Sequence, residues 1–106
     1  MTILDFETRE EAERTLIELR GELDLSTTER VERELTRVEA KAPSVLVLDL
    51  SGLKFLDSTG LRLVVGADQR ARAADRRLVV VKGPAAVHRV FSITKLDQRL
   101  EMVDEA

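Results

Sequence analysis

The chain has no cysteine, no tryptophan and no tyrosine, a single histidine, and only two prolines and five glycines in 106 residues. Without thiols there is no disulfide, no thiolate metal site and no cysteine nucleophile, and the composition fits a reducing compartment. Three phenylalanines are its only aromatics. The core must therefore be assembled from Leu, Val, Ile and Ala, and stacking on nucleobases has almost no surface to use. Seventeen basic against twenty acidic residues leave a net charge of -3, so no positive field gathers nucleic acid or an anionic membrane. No apolar run approaches membrane-spanning length, and the start Met1-Thr2-Ile3-Leu4-Asp5 lacks the charged and apolar regions of a secretory leader. These absences point to a cytoplasmic chain forming one domain over residues 1–106, with no partner among nucleic acids or membranes.

What is present is a regular alternation of short patterns. Ile3, Leu4 and Phe6 open a strand, a polar connection occupies 8–13, and Leu16 to Gly21 restarts apolar alternation, which predicts an antiparallel pair. Ser26 with Glu29 has capping-box spacing, and Val31, Leu35 and Val38 follow at helical intervals, which predicts a helix over about 26–41 that ends before Pro43. The apolar run from Ser44 to Leu50 reads as a central strand covered on both faces, followed by a loop containing Gly52. A second helix is expected from Ser58 to about Ala74, and a second buried strand from Arg76 to Lys82, joined by a right-handed parallel crossover. Pro84 suits the first turn of a third helix that carries Val87, Val90 and Phe91 on one side, and Leu100, Met102 and Val103 suggest a last short strand. The expected order is ββαβαβαβ: an α/β domain with one mixed sheet and helices packed against it.

The segment richest in chemical information is Leu50-Ser51-Gly52-Leu53-Lys54-Phe55-Leu56-Asp57-Ser58-Thr59-Gly60-Leu61. Asp, Ser and Thr suit a helix start because their side-chain oxygens accept from its unpaired amides. At 100° per residue, Leu61, Val64, Val65, Ala67, Ala71 and Ala74 spread over an inner arc, whereas Ser58, Arg62, Gly66 and Gln69 fall opposite. A phosphate on Ser58 would sit at the positive end of the helix dipole, one turn from Arg62. The fold should tolerate it, and its effect would be felt by whatever docks on that stripe, Arg62 and Gly66 included.

Asp57-Ser58-Thr59-Gly60-Leu61, after an apolar strand that ends in Asp49-Leu50, resembles the phosphorylation motif of STAS domains in anti-sigma factor antagonists. Gly21-Glu22-Leu23-Asp24 is similar to that family's segment before its first helix. Val87-His88-Arg89-Val90-Phe91 with Ile93-Thr94 resembles its third helix and the end of that helix. The resemblance covers nearly the whole chain. It implies a STAS fold, no enzymatic turnover, no cofactor or metal, and partner switching. In that scheme the unphosphorylated protein binds an anti-sigma factor that is also a serine protein kinase and so frees a sigma factor, which it meets only indirectly. Phosphorylation releases the antagonist, and a serine phosphatase restores it. The resemblance makes Ser58 the phosphoacceptor, with Asp24, Asp57, Thr59 and Gly60 around it at the partner interface, although each of these also has a structural reading in turn or cap chemistry. Two departures stand out. Lys95 occupies a place after the third helix where relatives often have glycine, which weakens the expectation of a left-handed cap. Ala106 also ends the sequence where relatives often carry one more helix, so the C-terminal helix is expected to be short or absent.

Other chemistries fit less well. Ser58 as an acyl-transfer nucleophile needs a positioned base, yet the sole His88 lies in the third helix, read as a surface residue, and no Gly-x-Ser-x-Gly elbow surrounds the serine. Asp49 and Asp57 are hard-cation ligands without a third carboxylate nearby, and are better read as loop and cap residues. Arg70, Arg72, Arg76, Arg77 and Lys82 straddle a helix end and a strand with no interleaved aromatics, which reads as solvated surface and not as an RNA site. The chief rival is another use of the same domain, as a subunit of a transporter complex or a scaffold in a stress-signalling assembly.

Overall fold

Which face of the sheet meets the helices is decided by alternation within its strands. The structure, a computed structural model, describes residues 3–106. Strands β1 (Leu4–Glu10) and β2 (Arg14–Leu23) precede helix α1 (Thr28–Glu39), β3 (Val45–Leu56), α2 (Ser58–Ala73), β4 (Arg77–Val81), α3 (Ala85–Ile93), a 3₁₀ turn (Leu96–Gln98) and β5 (Glu101–Val103). Strand order follows chain order; β1 is antiparallel to β2, and every later neighbour is parallel. Right-handed crossovers that all step the same way deliver their helices to one face of a sheet. The packing agrees: Ile17, Leu19, Leu46, Leu48, Leu50, Leu78 and Val80 join Val31, Leu35, Val64, Ala67, Val87 and Phe91 in one core. On the other face Leu16, Val47, Val79 and Val81 form a small separate cluster with no helical member. Burying each large aliphatic side chain contributes about 1.5–3 kcal/mol, so the helix side carries most of the stabilisation.

Several element boundaries differ from expectation, each for a local reason. Polar residues 8–10 belong to β1, not to the connection, because cross-strand and helix partners receive them: Arg9 meets Glu18 at 3.8 Å, and Thr8 donates to Glu34 of α1. The turn is thus confined to 11–13. Gly52 lies inside β3 and not in a loop, since that strand runs on to Leu56. Its pairing with β2 slips between Glu18 and Arg20 and again between Gly21 and Glu22, and such bulges break the two-residue period that marks a strand. Gly21, at φ 106° and packed so close to Ile3 that a Cβ would collide with its carbonyl, is required there. Helix α1 begins at Thr28, and the capping box is not formed. Ser26 bonds the Asp24 carboxylate instead, and Glu29 bonds Arg33 at 2.9 Å.

Side chains from α1 and the turn after it reach β1 at two further points. The guanidinium of Arg30 donates to the Leu4 carbonyl at 2.7 Å and lies over the Phe6 ring, and Lys41 pairs with Glu10 at 2.6 Å. Charged side chains along an edge strand disfavour pairing with a second sheet. At the far side, no helix follows β5 in residues 104–106, and the Ala106 carbonyl accepts from Arg14 at 3.2 Å.

Helix α3 ends in the left-handed cap that the lysine had weakened as an expectation: Lys95 has φ 62° and ψ 15°, and its amide donates to Ser92. His88, expected on the surface, is half-buried, with a buried Nδ1 and its ring stacked on Phe91 at 6.3 Å between centroids. A side chain with a Cβ in the left-handed region costs about 1–2 kcal/mol, part of which glycine returns as unfolded-chain entropy. Lys95→Gly should therefore raise unfolding free energy by up to about 1 kcal/mol, several degrees in melting temperature, while Lys95→Ala should not. Equal melting curves for both variants would refute this account.

Candidate functional site

Parallel strands β2 and β3 end side by side, with Leu23 paired to Leu56, and each chain then turns toward a helix. At the end of β2, Oδ1 of Asp24 accepts from the amide and hydroxyl of Ser26 at 2.9 and 2.8 Å, forming an Asx turn. Thr27, almost fully buried, donates to the Glu22 carbonyl at 2.8 Å and accepts from the Asp24 amide at 3.0 Å, so the turn before α1 is fully bonded.

At the end of β3, Asp57 is the N-cap of α2. Its Oδ1 accepts from the amides of Thr59 and Gly60 at 2.9 and 3.0 Å and from the Thr59 hydroxyl, while Oδ2 accepts from the Leu25 amide at 3.2 Å. One carboxylate thus caps a helix and staples the neighbouring loop to it. Burial alone would push this carboxyl upward, but donation from the Thr59 hydroxyl and from the Gly60, Leu25 and Thr59 amides outweighs it and holds the pKa below the ordinary 3.8.

Ser58 follows as the first helical residue, exposed, with no side-chain hydrogen bond among the described residues. Arg62, one turn on, is also exposed, and Gly66 is half-buried on the same stripe. Gly60 points the other way. A Cβ there would come within 2.8 Å of the Leu23 carbonyl and 2.9 Å of Leu56 Cδ1, so its bareness is what lets α2 close onto the strand ends. The inner arc of α2 is Gly60, Leu63, Val64, Ala67 and Ala71. Leu63 was missed, Val65 is only half-buried, and Ala74 is exposed because it lies at the C-cap, beyond the last helical turn. Asp24, Asp57, Ser58, Thr59, Gly60 and Arg62 are therefore brought together at one end of the sheet, and Gly66 lies further along the helix.

Two residues of the site escaped sequence reasoning. Leu25 is 76% exposed and Phe55 49% exposed, large apolar side chains left in solvent. With Asp24, Ser26 and Asp57 they line an open depression of about 380 Å³. Exposed apolar side chains that adjoin one another within a polar rim make this depression a candidate docking patch, unlike the exposed Ile3 and Ile93, which do not line it. The signal available was Leu25 alone among turn residues, and it becomes meaningful only once Phe55 is known to lie beside it.

The rival chemistries find little here. Asp49 accepts from the Ser51 amide at 2.9 Å as a local turn, apart from Asp57. Arg70 is bonded to Glu39, Arg72 to Asp68 and Arg77 to Glu101, while Lys82 pairs with Asp104, so these cations are largely matched by carboxylates. No helix among the described residues is long and apolar enough to cross a membrane.

Two substitutions test the architecture. Asp57→Ala should cost about 1 kcal/mol at neutral pH through the lost cap. Because the folded-state pKa is depressed, that contribution is present above the unfolded value and disappears as pH falls through the folded one. The gap in melting temperature between wild type and variant should narrow below about pH 4; a gap independent of pH would contradict the carboxylate's role. Gly66→Ala should instead stabilise by about 0.5–1 kcal/mol, since a Cβ there meets only the flexible Arg70 Nη1, at 3.3 Å. Destabilisation in a melting experiment would show that the space is not open.

Comparison with known proteins places this geometry. The STAS domain family model matches residues 4–105. The chain is 34% identical over 82 residues to the anti-sigma-B factor antagonist of Listeria monocytogenes, covering 77% of this chain and 72% of that protein. It is 29% identical over 87 residues to the anti-sigma-F factor antagonist RsfB of Mycobacterium tuberculosis, covering 82% and 70%. Among solved structures, an anti-sigma factor antagonist from Mycobacterium paratuberculosis superposes with a TM-score of 0.87 at 23% identity, covering 96% of this chain and 86% of that one. Unphosphorylated SpoIIAA does so with a TM-score of 0.80, also at 23% identity, over 95% and 90%. The sheet order, the capped strand-to-helix junction and a family match over nearly the whole length together make this chain a member of the STAS domain family.

Proposed function

We propose that this chain is a cytoplasmic anti-sigma factor antagonist worked by phosphorylation of Ser58. Unphosphorylated, it docks through the end of the sheet on an anti-sigma factor that is also a serine kinase, and so frees a sigma factor. Phosphate on Ser58 ends that association, and a serine phosphatase restores it. Its named relatives support the antagonist role. The observation that carries the site assignment is the contrast between neighbouring hydroxyls: Ser58 is exposed and unbonded, whereas Thr59 donates its hydroxyl to Asp57. A kinase can reach the first without dismantling the cap.

The docking surface combines the Leu25 and Phe55 pair with the outward stripe of α2. Leu25 and Phe55 supply apolar area that the fold itself does not use, the kind of anchor that dominates protein interfaces. Asp24, Asp57, Thr59 and Gly60 shape that surface from beneath, and Arg62 and Gly66 extend it along the helix. A charge of about -1.5 to -2 added at Ser58 must be desolvated on docking, or must face acidic neighbours such as Asp57, and an unpaired buried charge outweighs an interface of ordinary affinity. On this reading the protein acts as a binding partner without turnover, a role supported by its relatives named as anti-sigma factor antagonists.

Calorimetric titration of the kinase partner should find Ser58→Ala bound and Ser58→Asp bound more weakly, with both melting near wild type. Leu25→Ala and Phe55→Ala should each cost more than about 1 kcal/mol of binding while leaving stability nearly unchanged, as expected of exposed anchors. Equal affinities for the two Ser58 variants would remove the electrostatic switch, and full affinity in the double Leu25/Phe55 variant would move the interface elsewhere.

A further inference from the structure

A phosphate on Ser58 would find little backbone to hold it. The amides of Thr59 and Gly60 already donate to Asp57, and the Leu61 amide closes the first helical bond on the Asp57 carbonyl at 2.9 Å. Among first-turn amides only that of Ser58 itself is left. The usual account of anions at helix starts, in which several free amides converge on the charge, therefore fits poorly here, and the Asp57 carboxylate one residue away is itself repulsive. A cation is needed nearby.

Arg62 answers that description. It is four residues after Ser58 on the same face, the spacing at which helical side chains meet. Its own helical neighbours at three and four positions are Ser58, Thr59, Val65 and Gly66, with no acid among them. Among the described residues it has no ion-pair or hydrogen-bond partner, whereas the other arginines of α2 are both engaged, Arg70 with Glu39 at 3.0 Å and Arg72 with Asp68 at 2.8 Å. An exposed, unmatched arginine beside an exposed, unmatched serine is the arrangement to which a phosphate adds the missing partner.

We propose that Arg62 is the receptor for phosphate on Ser58 within the same chain. This rests on the reading of Ser58 as the modified residue. Phosphorylation then does two things at once: it brings negative charge to the docking surface, and it withdraws from that surface the one cation in the first three turns of α2. The released state carries its charge in an internal pair, and an antagonist whose partner relies on Arg62 is switched by loss as well as by repulsion.

The test needs no kinase. Phosphoserine is installed at position 58 of the full chain by genetic encoding, in backgrounds with Arg62, Arg62→Lys and Arg62→Gln. The second ionisation of the phosphate is then followed by ³¹P NMR. A nearby guanidinium favours the dianion, so the titration midpoint with Arg62 should lie about half a unit below that of Arg62→Gln, with Arg62→Lys between them. The difference should shrink in about 1 M salt, where the Debye length falls to about 3 Å. Melting curves of the unphosphorylated chains should coincide, which separates the pair from any effect on the fold. Equal midpoints for Arg62 and Arg62→Gln would overturn the proposal and leave the kinase reading of Ser58 untouched. A kinase that never modifies Ser58 would sink that reading without moving the ³¹P result.

Discussion

The carboxylate of Asp57 is the constraint on which the joint between the ends of β2 and β3 and the start of α2 depends. It accepts three bonds from the start of α2 and one from the Leu25 amide, so a helix and a separate loop share one anchor. Remove it and both elements lose their shared anchor, while backbone bonding and the hydrophobic core beneath would persist. The bareness of Gly60 is the second half of the same joint, since it lets the capped helix start lie against Leu23 and Leu56. Polar bonding sets the direction of the joint and apolar packing sets its depth. Ser58, the residue between these two, is held outward by neighbours that all have structural duties.

On the proposed reading, this division of labour would let a modification change binding without changing the fold. Every side-chain group that maintains the joint faces inward or sideways, while Ser58, Arg62, Leu25 and Phe55 face solvent. Charge added at Ser58 is met in the free protein by water and, on the pairing proposed above, by Arg62, whereas in the complex it meets a surface. The cost therefore appears only on docking, which is the thermodynamic condition for a ligand or modification to shift one equilibrium and not another.

Much of this was legible in the residues. Val31, Leu35 and Val38 marked α1, the run 45–50 marked a central strand, and Asp57-Ser58-Thr59 announced a helix start. What could not be read depended on partners distant in sequence. The second half of β3 was hidden because bulges opposite Arg20 and Glu22 replace alternation by burial at Leu50, Leu53 and Leu56. Residues 8–10 looked like a loop because their partners, Glu18, Glu34 and Lys41, lie elsewhere in the chain. Ser26 has the spacing of a cap for α1, but its amide and hydroxyl donate to Asp24 instead. Leu25 and Phe55 carry no signature of exposure in their identity, and Lys95 adopts a glycine conformation that its composition argues against.

The sheet's one-way winding also sets a gradient of mechanical security across the molecule. β3 is flanked on both sides and roofed by helices, whereas β5 contributes three residues, each half-buried, to an outer edge. Local opening is cheapest where few apolar contacts and few ladder bonds must be given up, so the β5 margin should fray long before the centre does. The Ser58 joint hangs from β2 and β3, at the secure end of that gradient. Breathing at the far margin can therefore proceed in the native protein without loosening the surface on which a partner would be recognised.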